Sequence, residues 1–284
     1  LPAELTGVEG LEAAFLFGPW AAKISRNSGP EPQDVDVILV GYMNRIEAAR
    51  AAARARDALE RDVNVQFVSS KEWAEATTEF VQNVKAQPLV QIPLGVDLTN
   101  FSPNRYNEEL RTKMLKGGDV LLVHCGRLSP EKKPERSLQA LRELLNRGVN
   151  ARLVFIGSGP LHKKLYDSSR DIPVTFWGYV ANKNLLAQMI ASADISIAPG
   201  PIETFCLAAL ESLASGTPVV ASNTSAVGEF LKTKDGNYVG LTADNNGAAF
   251  ADAIEKLLSL SSQDLQMRKR CRTQAENFPW SKTI

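Results

Sequence analysis

Gly200-Pro201-Ile202-Glu203-Thr204-Phe205-Cys206-Leu207-Ala208-Ala209-Leu210-Glu211-Ser212-Leu213-Ala214-Ser215-Gly216-Thr217-Pro218-Val219-Val220 decides how the chain is read. A Pro-Gly-Pro loop, Pro199-Gly200-Pro201, follows the short apolar run Ile195–Ala198, and a β-branched run opens at Val219. Between them lies an Ala/Leu-rich pattern of helical period. The order is strand, loop, helix, strand. Glu203 and Glu211 are eight positions apart, about two helical turns. Their carboxylates therefore face nearly the same way at different depths. A helix starting near Phe205 or Cys206 presents unpaired N–H groups and a positive dipole end to an anion. Phosphate at the helix start and hydroxyls at the two acids would suit a nucleotide-sugar. Taken singly, helical glutamates are ordinary surface residues.

The same alternation extends outward. Strands are expected at Val120–His124, Ala151–Ile156, Val174–Trp177, Ile195–Ala198, Val219–Ala221 and Tyr238–Leu241. Helices are expected at Pro134–Arg147, Leu161–Ser168, Lys183–Ala191, Cys206–Ser215, Val227–Leu231 and Gly247–Leu258. Repeated βα units imply an α/β, Rossmann-like, doubly wound parallel sheet, with ligands at the carboxyl ends of its strands. Before residue 90 the pattern differs. Strands are expected at Leu11–Phe17, Val35–Val40 and Val63–Val68, and helices at Arg45–Asp57 and Lys71–Lys85. This is a smaller α+β unit.

Composition narrows the classes. The 284 residues carry 32 positive and 32 negative side chains and are 44% apolar. That balance gives no polyelectrolyte footprint, so nucleic acid is not an expected partner. Cys125, Cys206 and Cys271 lack metal-ligand spacing and read as reduced intracellular thiols, which places the chain in the cytoplasm. No apolar run is long enough to span a bilayer. Leu1-Pro2-Ala3-Glu4 is neither a start methionine nor a signal peptide and reads as the interior of a longer frame.

The loops after the expected strands hold the chemistry. Cys125-Gly126-Arg127-Leu128-Ser129-Pro130-Glu131-Lys132-Lys133 sets two cations five apart on one turn. Arginine offers a planar fork to a diphosphate and lysine a point charge. Basic loops are more often simply solvated. Gly157-Ser158-Gly159-Pro160 is a βα turn with an incomplete cofactor pattern. The order of elements adds weight: Gln91–Pro103, then Gly126-Arg127…Lys132, Gly157–Pro160, Gly178-Tyr179-Val180, Ala193-Asp194, Glu203…Glu211 and Gly216-Thr217-Pro218-Val219-Val220. This series resembles the C-terminal, donor-binding domain of the GT-B glycosyltransferases, in the retaining family 4. The resemblance covers about residues 90–284. Within the family, Leu128–Arg136 and Gly200–Ala214 look most like actinobacterial GDP-mannose-dependent α-mannosyltransferases acting on glycolipids.

The resemblance implies roles. Arg127 and Lys132 would neutralise the donor diphosphate. Glu203 would face the sugar near its anomeric centre, and Glu211 would hydrogen-bond the ribose. Backbone N–H groups of Phe205, Cys206 and Leu207 would bind phosphate or sugar, and Tyr179-Val180 would hold the base. The donor would be GDP-mannose or another nucleoside diphosphate sugar. The acceptor would be a lipid or glycan, which leaves peripheral membrane association open. No cofactor is needed if Arg127 and Lys132 hold the charge. Cys206 and Lys133 stand where the family commonly has glycine.

The first half carries a different resemblance. Phe15-Leu16-Phe17-Gly18-Pro19-Trp20-Ala21-Ala22, followed by Pro32-Gln33-Asp34-Val35-Asp36-Val37-Ile38-Leu39-Val40, looks like the small nucleotidyltransferase superfamily. Period-two spacing sets Asp34 and Asp36 on one face, where two carboxylates could hold Mg²⁺. Pro19 replaces the usual serine, and Asn64-Val65-Gln66 offers no third carboxylate. The reading is therefore of two domains, 1–90 nucleotidyltransferase-like and degenerate, and 91–284 donor-binding, from unrelated families. The expected function is transfer of a hexose, mannose by resemblance, with retention. The alternative is a nucleotidyltransferase-like protein using Asp34, Asp36 and Mg²⁺, fused to a non-catalytic sugar-nucleotide module. No histidine precedes residue 90, and the family's usual acceptor-side features are not found there. Binding without efficient transfer is the expectation for this chain.

Overall fold

The computed structural model describes residues 5, 8, 10–26, 31–92, 95–203 and 206–278. Contacts divide the chain into two units that meet in sequence at Gly95 and Val96.

The first unit is built on β1 (Leu11–Phe17), α1 (Gly18–Arg26), β2 (Asp34–Gly41), α2 (Arg45–Leu59), β3 (Asp62–Val68), α3 (Ser70–Glu75), α4 (Glu79–Lys85) and β4 (Val90–Ile92). Its sheet runs β3-β2-β1-β4. β2 and β3 are parallel, and β1 is antiparallel to both β2 and β4. Val37, Ile38, Leu39 and Val40 of β2 are all fully buried, as in a strand covered on both faces. Ala13, Ile38, Val40 and Val68 pack with Trp73, Val81 and Val84. α2 buries Ala48, Ala51, Ala52 and Ala55, one stripe of helical period, and packs on β3. Asn44 caps it, its Oδ1 accepting from the N–H groups of Ile46 and Glu47.

Two details depart from the sequence reading. Gly18-Pro19 opens a helix rather than only closing a strand, because proline fits a first helical turn. The expected helix Lys71–Lys85 is two helices, broken at Ala76 in the left-handed region (φ 48°). The Thr78 hydroxyl accepts from the Val81 N–H and starts the second.

The second unit contains α5 (Glu108–Leu115), β5 (Val120–Cys125), α6 (Pro134–Asn146), β6 (Ala151–Ile156), α7 (His162–Asp167), β7 (Val174–Gly178), α8 (Lys183–Ala191), β8 (Ile195–Ala198), α9 (Leu207–Ala214), β9 (Val219–Ser222), β10 (Gly240–Ala243), α10 (Gly247–Gln263) and α11 (Met267–Ala275). A 3₁₀ turn, Ala226–Phe230, stands where a helix was expected. All six strands are parallel, in the order β10-β9-β8-β5-β6-β7. Winding runs from β5 out to β7, then returns to the other side of β5 and runs out to β10. The reversal lies between β5 and β8, and ligand crevices form at the carboxyl ends of strands at such a point. Leu121, Val123, Val154 and Ile156 are buried with Met114 and Met189. Each fully buried aliphatic side chain of this kind contributes about 1.5–3 kcal/mol.

α11 is rich in arginine, and two of these arginines are used internally. Arg268 donates to the carbonyls of Ala191 and Ser215, and Arg272 to those of Leu98, Phe101 and Ala214. Cations at these carbonyls oppose the negative ends of α8 and α9. No described helix is long and apolar enough to cross a membrane.

Candidate functional site at the β5–β8 crossover

The loops after β5 and β8 face each other where the strand order reverses, and they hold Lys132 and Glu203. Lys132 Nζ lies 2.9 Å from both Oε1 and Oε2 of Glu203. The Glu203 side chain is 4% exposed and that of Lys132 21%. An ammonium that faces both oxygens of a carboxylate so removed from water favours its charged form. Gly200 makes the room: a Cβ there would come 2.6 Å from Glu203 Oε1. The two loops are 71 residues apart in sequence and meet only through the crossover.

Arg127 is exposed on the same loop as Lys132. This loop is seated on the Gly157–Pro160 turn by backbone contacts. The Leu128 N–H donates to the Ser158 carbonyl, and the Leu161 N–H to the Leu128 carbonyl, both at 2.9 Å. A Cβ at Gly157 would collide with the Gly126 carbonyl, and one at Gly159 would come 2.5 Å from that of Leu128. The glycines thus let two loops pack backbone to backbone. Tyr179, 59% exposed, and the partly buried Val180 follow β7, two strands further along the same sheet end.

Glu211 lies on α9, and its environment differs from that of Glu203. Burial pushes its carboxyl up to about 7; nearby Lys183 opposes the shift and Asp97 adds to it. Among the described residues no side chain hydrogen-bonds this carboxylate. Asp97 is itself held by the N–H groups of Thr99 and Asn100 and by the Asn100 side chain. α9 begins at Leu207 with Cys206 as its N-cap residue. Phe205 lies outside the described residues. Cys206 and Lys133 both adopt positive φ, 56° and 49°. These are the two positions where glycine was expected, and a Cβ there costs about 1 kcal/mol.

Other polar groups near the site are structural. His124 is buried, its Nδ1 2.9 Å from Ser137 Oγ, and burial helped by the Lys132 charge holds it down to about 3. It is a neutral core ring. Asp194 accepts from the Leu121 N–H and pairs with Arg111. Cys125, Cys206 and Cys271 are in no disulfide, and burial pushes the thiols of Cys125 and Cys271 up.

The first unit does not build the metal site read from Asp34 and Asp36. Asn64 Nδ2 donates to Asp34 Oδ2 at 3.1 Å and to Asp36 Oδ1 at 3.0 Å. An amide nitrogen occupies the position between the carboxylates that a cation would need. Mg²⁺ prefers oxygen ligands in near-octahedral geometry. No group of three or more His, Cys, Asp or Glu among the described residues could hold a metal. The residues therefore do not fit Mg²⁺, and Asp34 and Asp36 act as a cross-strand hydrogen-bond pair.

The architecture places the chain among GT-B proteins. Sucrose-phosphate synthase from Thermosynechococcus elongatus matches with a TM-score of 0.55 and 19% identity, over 84% of this chain and 59% of that one. At that identity the likeness is one of fold. The family follows from sequence: the model of the glycosyl transferases group 1 matches residues 107–278, and the chain belongs to that family. It is 39% identical over 255 residues to the GDP-mannose-dependent α-(1-6)-phosphatidylinositol dimannoside mannosyltransferase of Mycobacterium tuberculosis. That match covers 87% of this chain, while the chain spans 65% of the length of that relative. A sulfoquinovosyl transferase of Arabidopsis thaliana is 30% identical over 192 residues, 66% of this chain and 36% of its own length.

The mycobacterial match also corrects the reading of two unrelated halves. Eighty-seven per cent of the chain is more than residues 96–284 hold, so similarity to one protein runs into the first unit. The nucleotidyltransferase resemblance of residues 1–90 finds no support.

Proposed function

We propose that the chain transfers mannose from GDP-mannose to a mannosylated phosphatidylinositol, with retention of anomeric configuration. The observation behind this is the 39% identity to the mycobacterial mannosyltransferase, which covers 87% of the chain and so extends into the first unit. The geometry of the second unit supports the chemistry. Arg127 and Lys132 lie on the loop at the crossover, and the start of α9 adds N–H groups and a positive dipole end. Together they stabilise the leaving diphosphate by preorganised charge, with no metal called on. Glu203 faces the sugar, oriented by Lys132. Glu211, whose carboxylate meets no side-chain hydrogen-bond donor among the described residues, accepts from the ribose hydroxyls. Tyr179 and Val180 frame the base, and the backbone of Cys206 and Leu207, with Phe205, meets phosphate or sugar.

The test is incubation of the protein with radiolabelled GDP-mannose and phosphatidylinositol dimannoside, with the anomeric linkage of any product read by NMR. An α-linked trimannoside supports the proposal. A β-linked product would overturn retention, and absence of a mannolipid would overturn the acceptor assignment.

A further inference from the structure

We propose that Asn245, acting with Arg136 and Thr224, positions the loop that carries Glu203 and so sets donor affinity from outside the donor site. This rests on the reading of Glu203 as a donor-facing residue. The loop after β8 contains Pro199 and Pro201, which have no N–H and cannot join a regular ladder. Its carbonyls need donors from elsewhere, and three alternate ones each find a different donor. The Pro199 carbonyl accepts from Arg136 Nη1 at 2.8 Å, that of Pro201 from Thr224 Oγ1 at 2.9 Å, and that of Glu203 from the Ala226 N–H at 2.9 Å.

Asn245 joins the first two donors. Its Oδ1 accepts from Arg136 Nη1 at 2.6 Å and from Ser222 Oγ at 2.7 Å, and its Nδ2 donates to Thr224 Oγ1 at 3.1 Å. One amide from the loop after β10 thereby links the start of α6, the loop after β9 and the loop after β8. Arg136 follows Lys132 by four positions. Lys132 reaches the Glu203 carboxylate while Arg136 holds the backbone of the same loop. None of these contacts from Asn245 or Thr224 is to the Glu203 carboxylate, so both are positioning residues. Both are exposed, where loss of a side chain changes stability by about 0.5 kcal/mol or less.

The experiment compares wild type, Asn245→Ala, Thr224→Val and Thr224→Ser in GDP-mannose titrations, thermal melts and amide exchange of the Ala226 N–H. Asn245→Ala and Thr224→Val are expected to weaken GDP-mannose about tenfold and to speed exchange at Ala226, whose acceptor is the Glu203 carbonyl. Thr224→Ser keeps the hydroxyl and should bind within about twofold of wild type. All melting temperatures should agree within about 2 °C. If wild type binds and Asn245→Ala and Thr224→Val bind equally well, the positioning claim is wrong while the donor reading stands. If wild type does not bind GDP-mannose, the donor reading fails. Unchanged exchange at Ala226 in Asn245→Ala would then overturn the positioning claim as well.

Discussion

Two carboxylate pairs, one in each unit, sit beside parallel strands and are used in opposite ways. Asp34 and Asp36 share the amide nitrogen of Asn64 on the neighbouring strand, and both are partly exposed. Their hydrogen bonds are met within the sheet. Glu203 and Glu211 stand at the end of a sheet where winding reverses. One is buried against a lysine, and the other is half-buried, with no side-chain hydrogen-bond donor among the described residues and a carboxyl raised to about 7. A pair satisfied locally stabilises a strand. A pair held charged or left unsatisfied at a crevice is poised for a ligand.

The largest effect should come from cutting the buried pair. Lys132→Ala removes the ammonium that faces both Glu203 carboxylate oxygens and is expected to cost about 3 kcal/mol in urea unfolding at neutral pH. A loss below about 0.5 kcal/mol would show that the pair is not buried in solution. The next effect is a pH dependence. Glu211 titrates near 7 when folded against 4.5 for the free group, so the folded state holds an extra proton between those values. Its contribution to stability is therefore greatest below about pH 4.5, falls as pH rises towards 7, and is level above that. Glu211→Gln should remove this slope and be more stable than wild type at pH 8 by on the order of 2 kcal/mol. Equal stability of the two proteins at pH 8 and pH 4 would contradict the raised carboxyl.

Smaller effects are expected in the first unit. Asn64→Ala strips a shared donor from two half-exposed carboxylates and should cost about 1 kcal/mol, with GDP-mannose affinity unchanged. A tenfold loss of affinity would place Asp34 and Asp36 in the working site after all. Smallest of all, Lys133→Gly and Cys206→Gly should each stabilise the chain by about 0.5 kcal/mol through relief of positive φ, partly offset by the freer unfolded chain. A loss of stability in both would show that those conformations are not strained.

Much of the second unit was legible in the sequence. Ala151–Ile156, Ile195–Ala198 and Lys183–Ala191 are seen with the bounds read from periodicity. Apolar runs and turn residues mark such elements locally. The helices α5 and α11 were missed because polar side chains dominate them. Arg268 and Arg272 find their purpose only in carbonyls far along the chain. The glycine positions flagged at Lys133 and Cys206 coincide with left-handed backbone, a constraint that a motif records residue by residue. The Lys132–Glu203 pair was not legible: a motif gives the order of loops, while adjacency comes from the crossover between β5 and β8. The Arg136–Asn245 contact spans 109 residues and has the same cause. In the first unit, Asp34 and Asp36 were read from period two alone. The residue that satisfies them is Asn64, paired with Asp36 across the sheet, which period two cannot show.

The most direct measurement is a calorimetric titration of GDP-mannose at pH 7.5 into wild type, Arg127→Ala and Glu211→Ala. Arg127 is exposed and Glu211 meets no side-chain donor among the described residues, so neither change should unfold the chain. Wild type should bind saturably, and each variant should lose about tenfold or more in affinity. Binding of equal strength in all three would contradict this.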